Sequence, residues 1–569
     1  MIKLKKMIAS LLACALLAGL CACGGAQDQP EEKKDMGEGF YAVDTENSDL
    51  VVEEANFTLP ASPTETEGLF TPVALISDGC VLQRNAVNCI FGTTQEKSVA
   101  VRIAGSTFYG TVHNGRFEVY LSAREEGGPY ELEIIGLTGK TTIKNVWFGE
   151  VFLLSGQSNM AWTMGSNMNG DLGNHTGRYV PTPQTDPDTY LSYVSDSKER
   201  NEEIKNYVLD QLDESTNDHL SIFKIAVQSS SSPVYNQTEP AENVVGAWRT
   251  SDFESMYDFF AVGCSFGLTM QSLVNVPVGL VGAALGATFV PTWTPEDIYA
   301  SSKESFAYGG DLSSDACNRA GRCYGQYISP IAGYKFRCAV WYQGEGQPSR
   351  YAESMLKLIE GWRRDFGYEL PFLIVQLPRY GENDILPDQY ASMGLNMPSI
   401  SLTPFQIREE QKKITEQATK CTYSVNVDLG DYDELHPYDK KPVGMRAAYK
   451  VMEYFYGTQG IWSGARLDRA VLEGSKVKLY FKNVGGGIVV KNNGINLEVA
   501  GSDSVYYPAT IEKTESDCVI IGCSEVSAPV SVRYGANNYP RIDRNDVSLY
   551  MSLFTSEGFP VEQFIASLA

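Results

Sequence analysis

Ser158 and His436 are the two residues of this chain whose types and settings point most directly to chemistry. Ser158 lies in Gly149-Glu150-Val151-Phe152-Leu153-Leu154-Ser155-Gly156-Gln157-Ser158-Asn159-Met160, and His436 lies in Asp433-Glu434-Leu435-His436-Pro437. A serine hydroxyl attacks a carbonyl only when a base takes its proton, and that base works best when a carboxylate holds it in one tautomer. The second stretch supplies both groups, because an Asp three residues before a His reaches its ring within one turn of loop. Acyl transfer is the chemistry implied. The chain has only four histidines, His113, His175, His219 and His436. A neutral-pH hydrolase without a metal usually draws its base from such a set. His113 falls in the turn His113-Asn114-Gly115 and reads as a solvated loop residue, while His175 and His219 fall in a long polar segment.

The elements around these residues place them on one edge of a sheet. Val151 to Leu154 is a short apolar run of the kind buried on both faces, and Ser155-Gly156 breaks it as a tight turn does. Ser158 is thereby delivered past the carboxyl end of a strand, at a helix N-terminus, where open α/β sheets bind ligands. Alone, a Ser-Asn pair would read as a helix cap. The His436 loop has a matching setting, after a strand at Tyr423 to Val427 and before a helix from Val443 to about Tyr456. Further strand candidates are Ile222 to Val227, Val276 to Ala284, Arg337 to Tyr342 and Phe372 to Leu377, alternating with helices such as Tyr351 to Phe366. This alternation predicts an α/β fold with a parallel sheet flanked by helices on both sides. Gly263-Cys264-Ser265-Phe266-Gly267 matches the nucleophile elbow of α/β-hydrolases. Phe259, Phe260, Val262, Phe266, Met270 and Leu273 nevertheless keep helical spacing straight through Ser265, so a packed helix is the favoured reading there.

Outside this region the periodicity is that of antiparallel β structure. Val99 to Ala104 and Arg116 to Leu121 alternate apolar and polar residues, with turn residues at His113-Asn114-Gly115 and Gly127-Gly128-Pro129. Val477 to Phe481, Gly487 to Lys491, Cys518 to Gly522 and Val530 to Tyr534 do the same near the C-terminus. The expected organisation is a leader at 1–22, a flexible tether at 23–68, an N-terminal β domain at 69–147, a catalytic domain at 148–459 and a C-terminal β domain at 460–569. A polar insertion at 164–245, with a charged helix near Ser197 to Leu212, reads as a lid or substrate wall.

Lys3, Lys5 and Lys6 precede an apolar segment from Met7 to Leu20, the pattern of a signal peptide. Leu20-Cys21-Ala22-Cys23 then resembles a bacterial lipobox, which implies lipidation of Cys23 and an anchor outside the cytoplasmic membrane. A formal charge of −24 argues against a nucleic-acid partner. Nine cysteines remain after Cys23, an odd number without regular spacing. That is neither a disulfide framework nor a metal-binding pattern, although it leaves room for one or two bridges, and neither a metal nor a cofactor is expected.

Taken in order, a set of short stretches resembles the sialate O-acetylesterases of the SGNH hydrolase superfamily. They are Leu82-Gln83-Arg84, Gly149-Glu150-Val151 with Ser155 to Met160, Val276-Pro277-Val278-Gly279-Leu280 and Gly286-Ala287-Thr288. Trp341-Tyr342-Gln343-Gly344-Glu345, Asp428-Leu429-Gly430, and His436-Pro437 with Lys441, Gly444 and Arg446 complete the set. The resemblance covers nearly the whole chain from Leu69. It implies a flavodoxin-like sheet, a nucleophile at Ser158 and a general base at His436. It further implies an oxyanion hole from the backbone N–H of Ser158, the backbone of the Gly286 loop and the side-chain amide of Gln343. Asp433 is the first candidate for the acid, with Glu345 and Glu434 as alternatives suggested by related patterns. Gly286-Ala287-Thr288 stands where relatives commonly carry Gly-Gly-Thr. The expected substrate is an O-acetylated sugar such as sialic acid, with acetylxylan as the rival ester. The rival of another class is a non-catalytic glycan-binding lipoprotein. Trp162, Trp293 and Trp341 adjoin the candidate residues and read either as cleft walls or as core aromatics.

Overall fold

The computed structural model describes residues 43–169, 202–226, 241–307, 318–347, 349–380, 404–431, 435–458, 463–491, 494, 496–536 and 551–568. The leader, Cys23, His175, Asp433 and Glu434 lie outside these residues. Near the N-terminus, Phe70–Pro72, Asn88–Thr94, Arg116–Leu121 and Thr111–His113 form a four-stranded antiparallel sheet. Beside it run β1 (Val81–Gln83), β2 (Gly127–Ile135) and β3 (Lys140–Gly156). Gly127-Gly128-Pro129, expected as a turn, instead opens β2. Both glycines have positive φ, 156° and 134°, and they fall at a shift of register between β2 and β3.

β3 is a single strand of 17 residues that belongs to two regions at once. Its first half pairs antiparallel with β2, and Trp147 to Gly149 pair parallel with β1. Its second half, from Glu150, enters the central sheet. The boundary expected between residues 147 and 148 therefore falls inside a continuous strand. Val151, Phe152, Leu153 and Leu154 are all fully buried, as their unbroken apolar run requires. Each such side chain contributes about 1.5–3 kcal/mol by leaving water.

After β3 come α1 (Ser158–Ala161), β4 (Asn217–Lys224), β5 (Trp248–Ser251), α2 (Ala261–Val274), β6 (Val278–Ala284) and α3 (Val290–Trp293). Then follow β7 (Cys338–Tyr342), α4 (Tyr351–Phe366), β8 (Phe372–Val375), α5 (Pro404–Gln417), β9 (Cys421–Ser424) and α6 (Lys441–Phe455). The strand order is β5-β4-β6-β3-β7-β8-β9. Every neighbouring pair is parallel except β5 with β4, so the sheet is mixed at one edge only. α2 covers the face that carries Phe152 and Leu154, with the Phe266 ring 5.0 Å from that of Phe152. α6 packs against α2, where Gly444 lets the helices close onto Ser265. α3 and α4 cover the other face, through Trp293 and Trp362 against Trp341.

The C-terminal region forms two further four-stranded antiparallel sheets. Gln563 fastens it to α5, accepting from Arg408 Nε at 2.5 Å and donating to the Phe405 carbonyl at 3.0 Å. The eight cysteines among the described residues are all free thiols.

Glu150 marks the point where β3 changes sheets. Its carboxylate is wholly buried and receives Arg84 Nε at 2.7 Å, Arg337 Nε at 2.8 Å and Gln83 Nε2 at 2.9 Å. Burial opposes its charge, but the two guanidiniums prevail and hold the carboxyl down at about 2. Its contribution to stability is therefore complete above the ordinary glutamate range and is lost as pH falls through about 2. Glu150→Gln takes the paired carboxylate from Arg337 and leaves Arg84 with Glu126, and the expected loss is about 3–5 kcal/mol in urea unfolding at neutral pH. A variant with the parent's unfolding midpoint would contradict this role.

Candidate active site

Ser158 is the first residue of α1, two residues beyond the end of β3. The turn that presents it demands glycine at 156. Gly156 has φ +138°, and a Cβ there would sit 2.1 Å from the Tyr342 carbonyl oxygen. The backbone on either side is tied to neighbouring strands. Gln157 N–H donates to the Tyr342 carbonyl at 3.1 Å, and Leu285 N–H donates to the Gly156 carbonyl at 3.2 Å. The turn is thus set between the ends of β6 and β7.

His436 arrives from the loop between β9 and α6, and its Nε2 stands 2.8 Å from Ser158 Oγ. Arg446 of α6 closes that loop by a two-pronged pair with Asp428, at 2.5 and 2.8 Å. The Trp162 indole lies flat on the imidazole, with centroids 4.4 Å apart and planes 10° from parallel. Burial and the nearby Lys440 ammonium pull the His436 imidazole down to about 4. At neutral pH it is uncharged and able to accept a proton.

One side chain holds three of these loops together. Asn159 Nδ2 donates to Glu345 Oε1 and, at 3.1 Å, to the Leu435 carbonyl just before His436. Its Oδ1 accepts from Lys440 Nζ at 2.6 Å. Glu345 Oε2 accepts from Gln157 Nε2 at 2.7 Å. Both oxygens of Glu345 are thereby engaged by amides of the Ser158 turn, and burial pushes its carboxyl up against the pull of Asn159 and Lys440. Lys440 is 2 % exposed and is the N-cap of α6.

The loop after β6 brings Gly286 against Ser158, and a Cβ on Gly286 would lie 3.4 Å from Ser158 Cβ. The N–H groups of Ser158 and Gly286 donate to no group among the described residues. Gln343 joins the same loop. It is fully buried, and one N–H of its Nε2 donates to the Thr288 carbonyl at 3.0 Å, so it braces the loop that carries Gly286.

The structure sorts the other candidates by burial and contact. Ser265 is inside α2, 7 % exposed, with its hydroxyl given to the Val262 carbonyl, and it forms no elbow. Trp293 and Trp341 are core residues, whereas Trp162 is only partly buried and stacks on His436. His113 and His219 are exposed, the latter packed edge-on to Trp147. Residues 202–213 of the polar insertion form a helix, and its Tyr207 hydroxyl reaches Asp439 at 2.6 Å, three residues beyond His436. Lys440 had no place in the sequence reading, which singled out Lys441. A signal did exist, since a cation at a helix N-terminus opposes the helix dipole and implies an acidic or carbonyl partner.

Lys440→Met removes a positive charge facing His436, so the imidazole should rise toward its ordinary range. In a pH profile of kcat/KM on an aryl acetate, activity of the parent is expected to fall only as pH drops toward about 4. The acid limb of the variant is expected at higher pH. An unmoved limb would mean that Lys440 does not act on the base.

Residues 148–437, half of the chain, match the family described as "Carbohydrate esterase, sialic acid-specific acetylesterase". The chain is 22% identical to the sialate O-acetylesterase of Mus musculus, over 79% of this chain and 84% of that protein. It is 24% identical to the Homo sapiens sialate O-acetylesterase, over 69% and 72% of the two chains. The fold is that of a carbohydrate acetylesterase from Xanthomonas citri, with a TM-score of 0.67 at 24% identity over 87% of this chain and 99% of that one. A serine beside an uncharged imidazole, at the carboxyl edge of this sheet and within the matched residues, makes the assignment coherent: the chain belongs to the sialic acid-specific acetylesterase family of carbohydrate esterases, and is a carboxylic ester hydrolase.

Proposed function

We propose that this esterase removes O-acetyl groups from sialic acid or a closely related acetylated glycan through an acetyl-enzyme on Ser158. The observation that carries the reading is the 2.8 Å contact between Ser158 Oγ and His436 Nε2. His436 takes the hydroxyl proton as Ser158 Oγ bonds to the acetyl carbon, and the carbonyl becomes an oxyanion. The unengaged N–H groups of Ser158 and the Gly286 loop are the donors for that charge, each worth on the order of a hundredfold in rate. As the intermediate collapses, the sugar oxygen leaves with the proton from His436, and the acetyl group stays on Ser158. Water then attacks the acetyl-enzyme, with His436 again as base, and releases acetate.

Asp433 is the acid we assign to His436, on its spacing. Glu345 is the weaker candidate because Gln157 and Asn159 already occupy its two oxygens, and Glu434 is adjacent in sequence but one residue nearer the base. Trp162 covers one face of the imidazole and is only partly buried, so its indole offers apolar surface beside the site to a sugar ring.

Ser158→Ala is the decisive variant. It is expected to lose hydrolysis of para-nitrophenyl acetate by about a thousandfold or more while keeping the parent's melting temperature. Retained hydrolysis would overturn the nucleophile. On a panel of O-acetylated sialosides and acetylated xylo-oligosaccharides, acetate release is expected from the sialosides; release from the xylo-oligosaccharides alone would point to a plant-polysaccharide esterase. Failure of a fluorophosphonate probe to label Ser158, with glycan binding intact, would instead indicate a binding protein.

We further propose that Cys23 carries lipid and tethers the enzyme outside the cytoplasmic membrane, on the apolar leader and the Leu20-Cys21-Ala22-Cys23 stretch. The full chain is expected in the membrane fraction and Cys23→Ser in the soluble one. Equal partition of the two would remove the anchor.

A further inference from the structure

The loop at residues 285–289, which carries Gly286 past Ser158, adopts a backbone conformation that its own sequence resists. Ala287 has φ +57°. In this left-handed region a Cβ crowds the following carbonyl, and glycine is the residue that enters it without cost. Strain of this kind persists only where the surroundings impose it.

The groups that impose it are identifiable. The Leu285 carbonyl accepts from Thr288 Oγ1 at 2.7 Å, and the Thr288 carbonyl accepts from Gln343 Nε2 at 3.0 Å. The Ala287 carbonyl and the Phe289 N–H are both taken by one side chain. Asn318 Nδ2 donates to the Ala287 carbonyl at 3.1 Å, and Asn318 Oδ1 accepts from Phe289 N–H at 2.7 Å. Asn318 is 6 % exposed, so these bonds form away from competing water. With the Leu285, Ala287 and Thr288 carbonyls and the Phe289 N–H committed, the N–H groups of Gly286 and Ala287 bond to nothing among the described residues.

We propose that Asn318 is a positioning residue of the oxyanion loop, its amide bracketing residues 287 and 289 so that Ala287 stays left-handed and Gly286 stays beside Ser158 with the loop N–H groups given to no protein acceptor among the described residues. This rests on the reading of Ser158 as nucleophile and of the Gly286 loop as its oxyanion donor. Asn318 acts only through the backbone. Its removal therefore weakens stabilisation of the transition state more than binding of the ground state.

The test is a double-mutant cycle on para-nitrophenyl acetate with kcat and KM separated. Asn318→Ala is expected to lower kcat about tenfold with KM within about twofold of the parent. In the Ala287→Gly background the same substitution is expected to cost about threefold or less, because glycine holds the left-handed conformation unaided. Asn318→Asp keeps the acceptor for Phe289 N–H and loses the donor to Ala287; it decides the question if Asn318→Ala does not fold, with a kcat loss expected in the Ala287 background alone. An unchanged kcat, or equal losses in both backgrounds, would overturn the assignment. Ser158→Ala is assayed alongside. If it stays active, the underlying reading fails; if it is dead while the losses are equal, only the role of Asn318 does.

Discussion

The burial of Glu150 against Arg84 and Arg337 is the constraint on which the architecture turns. One carboxylate at the midpoint of β3 ties the start of the central sheet to the loop after β1 and to the residue before β7. Charges taken this far from water are stable only when geometry and counter-charge are complete. The cluster therefore admits one register of β3 against its neighbours. Because side chains alternate along a strand, a slip of one residue would turn the Val151 to Leu154 run over and deliver Ser158 to another place.

At the opposite end of the same strand, the problem is to bring distant loops within hydrogen-bond reach. Backbone contacts fix the Ser158 turn between β6 and β7, but His436 comes from a loop beyond β9, at the far edge of the sheet. Asn159 bridges that gap, since a side-chain amide donates and accepts at once and so joins Glu345, the Leu435 carbonyl and Lys440. The enclosed Lys440 ammonium serves two ends in this setting. It balances the carboxylate of Glu345, and it discourages a second positive charge on His436, so the imidazole stays a base at neutral pH.

Much of this was legible in the chain. The unbroken apolar run Val151 to Leu154 announced a strand buried on both faces, and the helix at Tyr351–Phe366 was expected over its full observed length from its periodicity. Helical spacing through Ser265 dismissed the false elbow, because periodicity integrates over many residues where a five-residue pattern does not. The chain did not disclose that β3 is shared between two regions, that Gly127-Gly128-Pro129 opens a strand, or that the Gln343 amide is given to the Thr288 carbonyl. Those depend on which strands lie alongside.

Residue types and their local spacing determined the fold class, the serine, the histidine and the loops that carry them, since periodicity and turn chemistry are properties of neighbours in sequence. Tertiary structure alone decided the contacts of Asn159 and Lys440, the bracket of Asn318 on Ala287, and the low basicity of His436. Each depends on burial and on the approach of residues far apart in the chain. Hydrogen-bond distance and desolvation are properties of space, and a linear order of residues does not carry them.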